Sequence, residues 1–288
     1  MLVSIIIPTY NRPDQLNRCL TALLNQSYSG AWEVIVVDDG GEFPLKSIEE
    51  FFQPDLRCSF LHQENSGPAK ARNYGVAMAK GEFIAFLDDD CEPEEDWLEH
   101  LMNAAKEGVM VGGKTQNKLG RNLYSDASQS LVSYLYEYFR ETPWYFFTSN
   151  NLLVDRKTFL AVGGFDTHFR TSAGEDRAFC AKWLARGFQM KYEQKAIIDH
   201  AHGLGFFSFW RLHRKYGEAI DQYREVLTEH DVPPMPFRAQ FYWGLLKWPF
   251  VFAQLSFSKR IATSILFSIS QLATFTAFIK TRFGSESK

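Results

Sequence analysis

Within the first hundred residues, short apolar runs at 3–7, 33–37, 57–61 and 83–87 alternate with segments of helical spacing at 13–26, 45–52 and 68–79. Few folds satisfy that alternation. Pro13 and Pro68 stand where the first turn of a helix tolerates proline, and Gly81 follows the last periodic residue of the third helix. Strand–helix–strand repetition predicts a mostly parallel sheet with helices on both faces, an α/β class of Rossmann-like type. With 45% hydrophobic residues, the chain can cover such a sheet. Ligands of open α/β sheets bind beyond the carboxyl ends of the strands. Three polar clusters fall there and are expected to share one cleft: Pro8–Arg12, Asp38–Gly41 and Asp88–Asp90.

From residue 108 to 150 the pattern weakens. A helix is expected over 125–140, then a loop through Pro143 and Trp144. A strand over 151–154 follows, then a short helix from Arg156 and a turn at Gly163–Asp166. Gly174-Glu175-Asp176 opens a helix running to about Arg186. Beyond Phe206 the chain turns helical and aromatic, interrupted by Pro233, Pro234 and Pro236, with apolar helical stretches at 241–257 and 261–279. The expected division is a nucleotide-binding and catalytic domain over 1–205 and a helical appendage over 206–288.

Charge is uneven. From Arg238 to Lys288 there are seven Lys or Arg against one acid, Glu286. That stretch carries about +6, and the remainder about −9 of the net −3. Basic and aromatic residues together favour contact with a membrane surface over 238–283 rather than with nucleic acid. An in-plane or hairpin anchor, a span by residues 261–279 and a soluble appendage all stay open. Cys19, Cys58, Cys91 and Cys180 show no paired spacing and read as free thiols. The first apolar run starts at Leu2 with no leader before it, so the expected location is the cytoplasmic side of the inner or plasma membrane.

Three consecutive carboxylates ending an apolar strand repel one another, and a hard divalent ion relieves that cost. Mg²⁺ or Mn²⁺ binds through one or two carboxylates together with substrate phosphates. In an extended turn, Asp88 and Asp90 point the same way. Taken alone, a solvated acidic turn explains the triplet equally well. Asp39 ends the second strand similarly, before two glycines that permit close backbone approach.

Taken in order, SIIIPTYNR (4–12), VIVVDDGG (34–41), GPAKARNYGVAMAKGEFIAFLDDD (67–90), NLLVDRKTFLAVGGFD (151–166) and GEDRAF (174–179) resemble the family 2 glycosyltransferases of the GT-A fold. The resemblance covers about the first 200 residues. It implies an inverting enzyme that moves a sugar from a nucleotide-diphospho-sugar, expected to be a UDP-sugar, to a hydroxyl of a glycan or lipid-linked acceptor in polysaccharide or glycolipid synthesis. By the same resemblance Asp39 would contact the base, although Gly41 stands where the family usually has Ser. Pro8, Thr9, Tyr10, Asn11 and Arg12 would line the nucleotide pocket, with Gly67, Arg72 and Asn73 near the uridine or phosphates. Asp88 would face the ribose or donor sugar, with Asp89 beside it, and Asp90 would bind the metal, Mn²⁺ or Mg²⁺. His200 or His202 would be a further metal ligand. Asp176 would be the general base and Glu175 its neighbour orienting the acceptor, although an acidic helix start is also favoured by the helix dipole alone. Trp144, Asn150 and Phe165 are candidates for the acceptor pocket, and core packing accounts equally well for Phe165. Two other readings remain: a non-catalytic nucleotide-sugar-binding protein, and a sugar-phosphate nucleotidyltransferase. The second needs a Gly-rich loop where this chain has PTYNR.

Overall fold

In the computed structural model, residues 1–54, 56–120, 122–169, 173–251 and 255–283 are described. The chain forms two compact units. The first comprises Met1–Gln116 and Phe147–Ala201, the second Asn117–Phe146 and His202–Lys288. A division at residue 205 assigns residues 117–146 to the catalytic domain, whereas they pack with the C-terminal helices.

The elements of the first unit run β1 (Leu2–Thr9), α1 (Pro13–Leu23), β2 (Ala31–Asp38), α2 (Lys46–Phe52), β3 (Cys58–His62), α3 (Pro68–Met78), β4 (Phe83–Leu87), β5 (Cys91–Pro93), α4 (Trp97–Ala104) and β6 (Val109–Asn117). After α5 (Leu123–Phe139) of the second unit come β7 (Asn151–Asp155), α6 (Arg156–Val162), α7 (Glu175–Ala185) and β8 (Gln189–His200). The sheet order is β3-β2-β1-β4-β7-β6-β8-β5. The strands from β3 to β4 pair in parallel, as the alternation predicts. Beyond β4 the sheet becomes mixed, for β7 runs antiparallel to both β4 and β6, and β5 is antiparallel to β8. β6 lies in the weakly patterned stretch, and its run of Val, Gly and Lys has too little periodicity to predict a strand.

Side-chain alternation along β1 sends Ile5 and Ile7 to one face, where they pack with Leu16, Cys19, Leu20 and Leu23 of α1. Ile6 faces the other way, toward α3. There Gly75 permits contact so close that an added Cβ would meet the Ile6 side chain at 2.5 Å. The buried positions of α3 are therefore small, apart from Arg72. Phe86, Phe159, Phe165, Phe179 and Trp183 form a second apolar layer. All four cysteines are buried free thiols.

The second unit holds α5 together with α8 (Phe206–Glu218), α9 (Ile220–Glu229), α10 (Ala239–Val251) and α11 (Phe257–Phe283). Leu131, Tyr134, Phe209, Leu245 and Phe267 are among its buried core. Asn122 caps α5, its side chain accepting from the backbone N–H groups of Tyr124 and Ser125. Helix α11 extends past the expected 261–279 to include Lys280 and Arg282, whose charges suit the negative end of the helix dipole.

Candidate active site

The site is assembled at the carboxyl ends of β1, β2 and β4. At the end of β1, Thr9 donates its hydroxyl to Asp89 Oδ2 at 2.7 Å. Asn11 then adopts φ 55°, an uncommon conformation for a residue with a side chain, and its Oδ1 accepts from the Glu42 backbone N–H at 2.7 Å. That turn aims Arg12 back across the strand ends. The guanidinium hydrogen-bonds Asp90 Oδ2 at 2.9 Å and forms an ion pair with Asp89 Oδ1 at 2.8 Å. Pro8 is buried within β1, opposite Val37 of β2, while Tyr10 is 45% exposed.

At the end of β2, Asp39 is nearly buried and its carboxylate is fully engaged. Oδ1 accepts from Gln63 Nε2 at 2.6 Å and from the Ser66 N–H at 2.9 Å, and Oδ2 accepts from the Gly67 N–H at 2.9 Å. Gly67 has φ 92°, a left-handed value that glycine adopts at no steric cost, and it starts α3. Nothing in the sequence flags Gln63 or Ser66 as partners of Asp39.

The acidic triplet divides by environment. Asp88 is bound by Arg72 at 2.7 Å and keeps 27% of its side chain exposed. Asp89 is completely buried, which pushes its carboxyl up to about 7 against the opposing pull of Arg12 and Thr9. Asp90 faces His200 across the β5–β8 pair, with Nε2 3.3 Å from its Oδ1. Burial disfavours the charged imidazole, yet the hydrogen bond and charge of Asp90 outweigh it and raise its pKa. His202 belongs to the second unit, where its carbonyl accepts from Ser125 Oγ.

Asp90, Cys91 and His200 have ligand atoms all within 4.8 Å of one another. Cys91 offers a soft sulfur, which suits hard Mg²⁺ or Mn²⁺ poorly. A carboxylate with an imidazole fits a divalent ion whose remaining positions are filled by phosphate or water, Mn²⁺ more readily than Mg²⁺. In the sequence, adjacency to Asp90 is the signal that marks Cys91.

Opposite the triplet stands the head of α7. Gly174, at φ 93°, turns the chain so that Glu175 and Asp176 occupy the first helical turn. Glu175 is turned inward, 3% exposed, and its Oε1 meets Arg72 Nη1 at 3.3 Å. Burial and the charge of Asp176 push Glu175 up to about 7, while Arg72 opposes them. Asp176 is half-buried, with Oδ1 accepting from the Arg177 N–H at 2.7 Å, and burial raises its pKa as well.

Asn73 spends its side chain on the Phe165 backbone, donating to the carbonyl at 2.8 Å and accepting from the N–H at 3.0 Å. The Phe165 ring is buried among Phe86, Phe159 and Phe179, so it packs in the core. Asn150 lies beside the metal-type cluster, with Nδ2 3.8 Å from Cys91 Sγ. Trp144 belongs to the second unit and donates its indole N–H to the Pro233 carbonyl at 2.8 Å.

A sequence model of glycosyl transferase family 2 matches residues 4–172. The chain is 30% identical over 211 residues to a pre-mycofactocin glycosyltransferase of Mycobacterium tuberculosis, covering 69% of this chain and 43% of that protein. The chain spans only 39% and 43% of the length of two curated relatives it matches. Among solved structures it resembles the mannosyltransferase PcManGT of Pyrobaculum calidifontis in complex with GDP-Man and Mn²⁺ (TM-score 0.61, 17% identity, 97% of this chain and 80% of that one). It also resembles S. aureus TarS 1–349 in complex with UDP-GlcNAc (TM-score 0.57, 18% identity, 99% and 92%).

Proposed function

The chain belongs to glycosyl transferase family 2, and from that premise we propose that it moves a sugar from a nucleoside-diphosphate donor to an acceptor hydroxyl with inversion at the anomeric carbon. One observation carries the reading: an Asp90–His200 pair at the strand ends stands in the same unit as a half-buried carboxylate, Asp176, at a helix start, with Arg72 joining Asp88 to Glu175 between them. A divalent ion held by Asp90 and His200, Mn²⁺ or Mg²⁺, would offset charge on the departing diphosphate. Thr9, Asn11, Arg12 and the Asp39-anchored loop shape the nucleotide side. Asp176 takes the acceptor proton as the new C–O bond forms and the bond to the diphosphate breaks. The neighbours' donors differ in base, GDP-Man and UDP-GlcNAc, so the pocket is read as a diphosphate-sugar site with UDP-sugars tested first.

The acceptor is read as a glycan or lipid-linked hydroxyl at a membrane, in surface polysaccharide or glycolipid synthesis on the cytoplasmic side. In support, α11 is 27 residues long and contains an 18-residue window of mean hydropathy 1.5, a third of it buried. Its exposed residues Phe257, Ile261, Ile265, Leu272, Phe275 and Ile279 lie within about 80° of the helix circumference at ~100° per residue. Arg260, Lys280 and Arg282 flank that stripe and Lys259 lies on the opposite face, the arrangement of a helix lying in an anionic lipid surface.

The test is turnover of UDP-, GDP-, dTDP- and CMP-sugars by purified protein with and without Mn²⁺. One donor class is expected to turn over only with metal, and Asp176→Asn is expected to bind that donor while losing ~10²–10⁴-fold in rate. Donor binding without turnover in every case would leave a binding protein instead, and full activity in Asp176→Asn would remove the base assignment.

A further inference from the structure

Arg72 belongs by resemblance with the donor contacts, yet its guanidinium is turned into the protein. The residue is 2% exposed. One arm, Nη2, reaches Asp88 Oδ1 at the end of β4 at 2.7 Å, and Nη1 reaches Glu175 Oε1 at the head of α7 at 3.3 Å. Its remaining face lies over the Phe165 ring, 5.6 Å from the centroid. Nε has no hydrogen-bond partner among the described residues. A buried donor left unpaired costs stability, so this side chain is placed for its charge rather than for complete hydrogen bonding. Next to it, Asn73 clamps the Phe165 backbone, which fixes the ring that Arg72 rests on.

We propose that Arg72 is a positioning residue for the transfer read above: its buried guanidinium pins Asp88 on the donor side and fixes Glu175, beside Asp176, on the acceptor side. This rests on the transferase reading for its chemistry, though not for its structural test. Among the described residues, the groups facing Glu175 are Arg72 of α3, Asp88 at the end of β4 and Asp176 within α7, while Asp176 also faces Arg177. Of these, Arg72 is the one cation whose hydrogen bond reaches Glu175. Guanidinium suits the task because it stays charged and presents a fork that two separate acids can share. An ammonium at the same place reaches one acid at a time.

Two measurements decide the proposal. The first compares wild type with Arg72→Lys in pH–rate profiles of nucleotide-sugar turnover, alongside calorimetric binding of UDP or GDP with Mn²⁺. The acid limb is expected to move up by about one pH unit, with nucleotide affinity changed less than about threefold. A tenfold or greater loss of nucleotide affinity with the acid limb unmoved would overturn the proposal and make Arg72 a donor-binding group. The second needs no activity and reads Tm against pH for Arg72→Met with and without Glu175→Gln. The Tm deficit of Arg72→Met should grow from pH 6 to pH 9, and Glu175→Gln should abolish that growth. A deficit independent of pH, or one that Glu175→Gln leaves in place, would overturn it. If wild type turns over no nucleotide sugar, the transferase reading fails while this second measurement still decides the role of Arg72.

Discussion

Three adjacent aspartates have three different surroundings: Asp88 is half-open to solvent on Arg72, Asp89 is sealed under Thr9 and Arg12, and Asp90 faces His200. Asp90→Ala should abolish the Mn²⁺ dependence of nucleotide binding, whereas Asp89→Ala should lower Tm first. Calorimetry and thermal unfolding separate the two effects. Asp39→Ala strands the N–H groups of Ser66 and Gly67 and should cost about 1–3 kcal/mol, measured by denaturant unfolding. Glu175 adds a pH dependence of known sign. Its carboxyl is raised from 4.5 to about 7, so the folded state holds a proton the unfolded chain has released. Its stabilising contribution is complete below 4.5 and is lost as pH rises through 7, readable as a falling Tm across that window. At this scale the sequence shows which residue types gather at the strand ends, because strand termini bring local motifs to one edge. It does not show that Arg72 and Glu175, 103 positions apart, meet in the interior. Nor does it show that Phe165 serves packing, since periodicity locates a ring without telling which side of it is covered.

Among the elements, α8 and α11 approach closely at Gly217, where an added Cβ would collide with the Thr274 carbonyl oxygen and come within 2.9 Å of Ala277. Gly217→Val should therefore cost about 1–3 kcal/mol through overpacking, seen as a shift of the unfolding midpoint. Close by, His213 is buried, with Nδ1 3.0 Å from Ser270 Oγ and its ring against Phe209. Burial lowers its pKa from 6.5 to about 4. The neutral ring's contribution is present above 6.5 and is lost as pH falls toward 4, the reverse of the Glu175 dependence. The four parallel strands were legible because alternating strands and helices leave a strong period. The antiparallel strand β6 was not, since its glycines serve close contacts: Gly112 abuts the Phe147 ring and Gly113 the Asn151 amide.

For the molecule as a whole, the basic stretch after Arg238 coincides with the exposed apolar stripe of α11 and with exposed Trp243 and Phe250 of α10. Vesicles containing anionic lipid should retain the full chain, and retention should weaken with salt. Leu272→Asp with Phe275→Asp should release it by sedimentation while leaving nucleotide binding intact. Retention unchanged in that double variant would count against the lipid surface. The charge asymmetry was legible directly from composition. The grouping of residues 117–146 with the C-terminal helices was not, because it depends on packing between segments far apart in the chain.

The order in which the ion pairs are spelled out along the chain has a consequence for synthesis. Arg12 precedes Asp90 by 78 positions, and Arg72 precedes Asp88 by 16. A ribosome making this protein N-terminus first therefore delivers both cations before the acidic triplet emerges. Glu175 arrives last, after both Arg72 and Asp88. The nascent sheet can close around its most repulsive segment with counter-charges in hand, and only the final acid pair waits for the later strands.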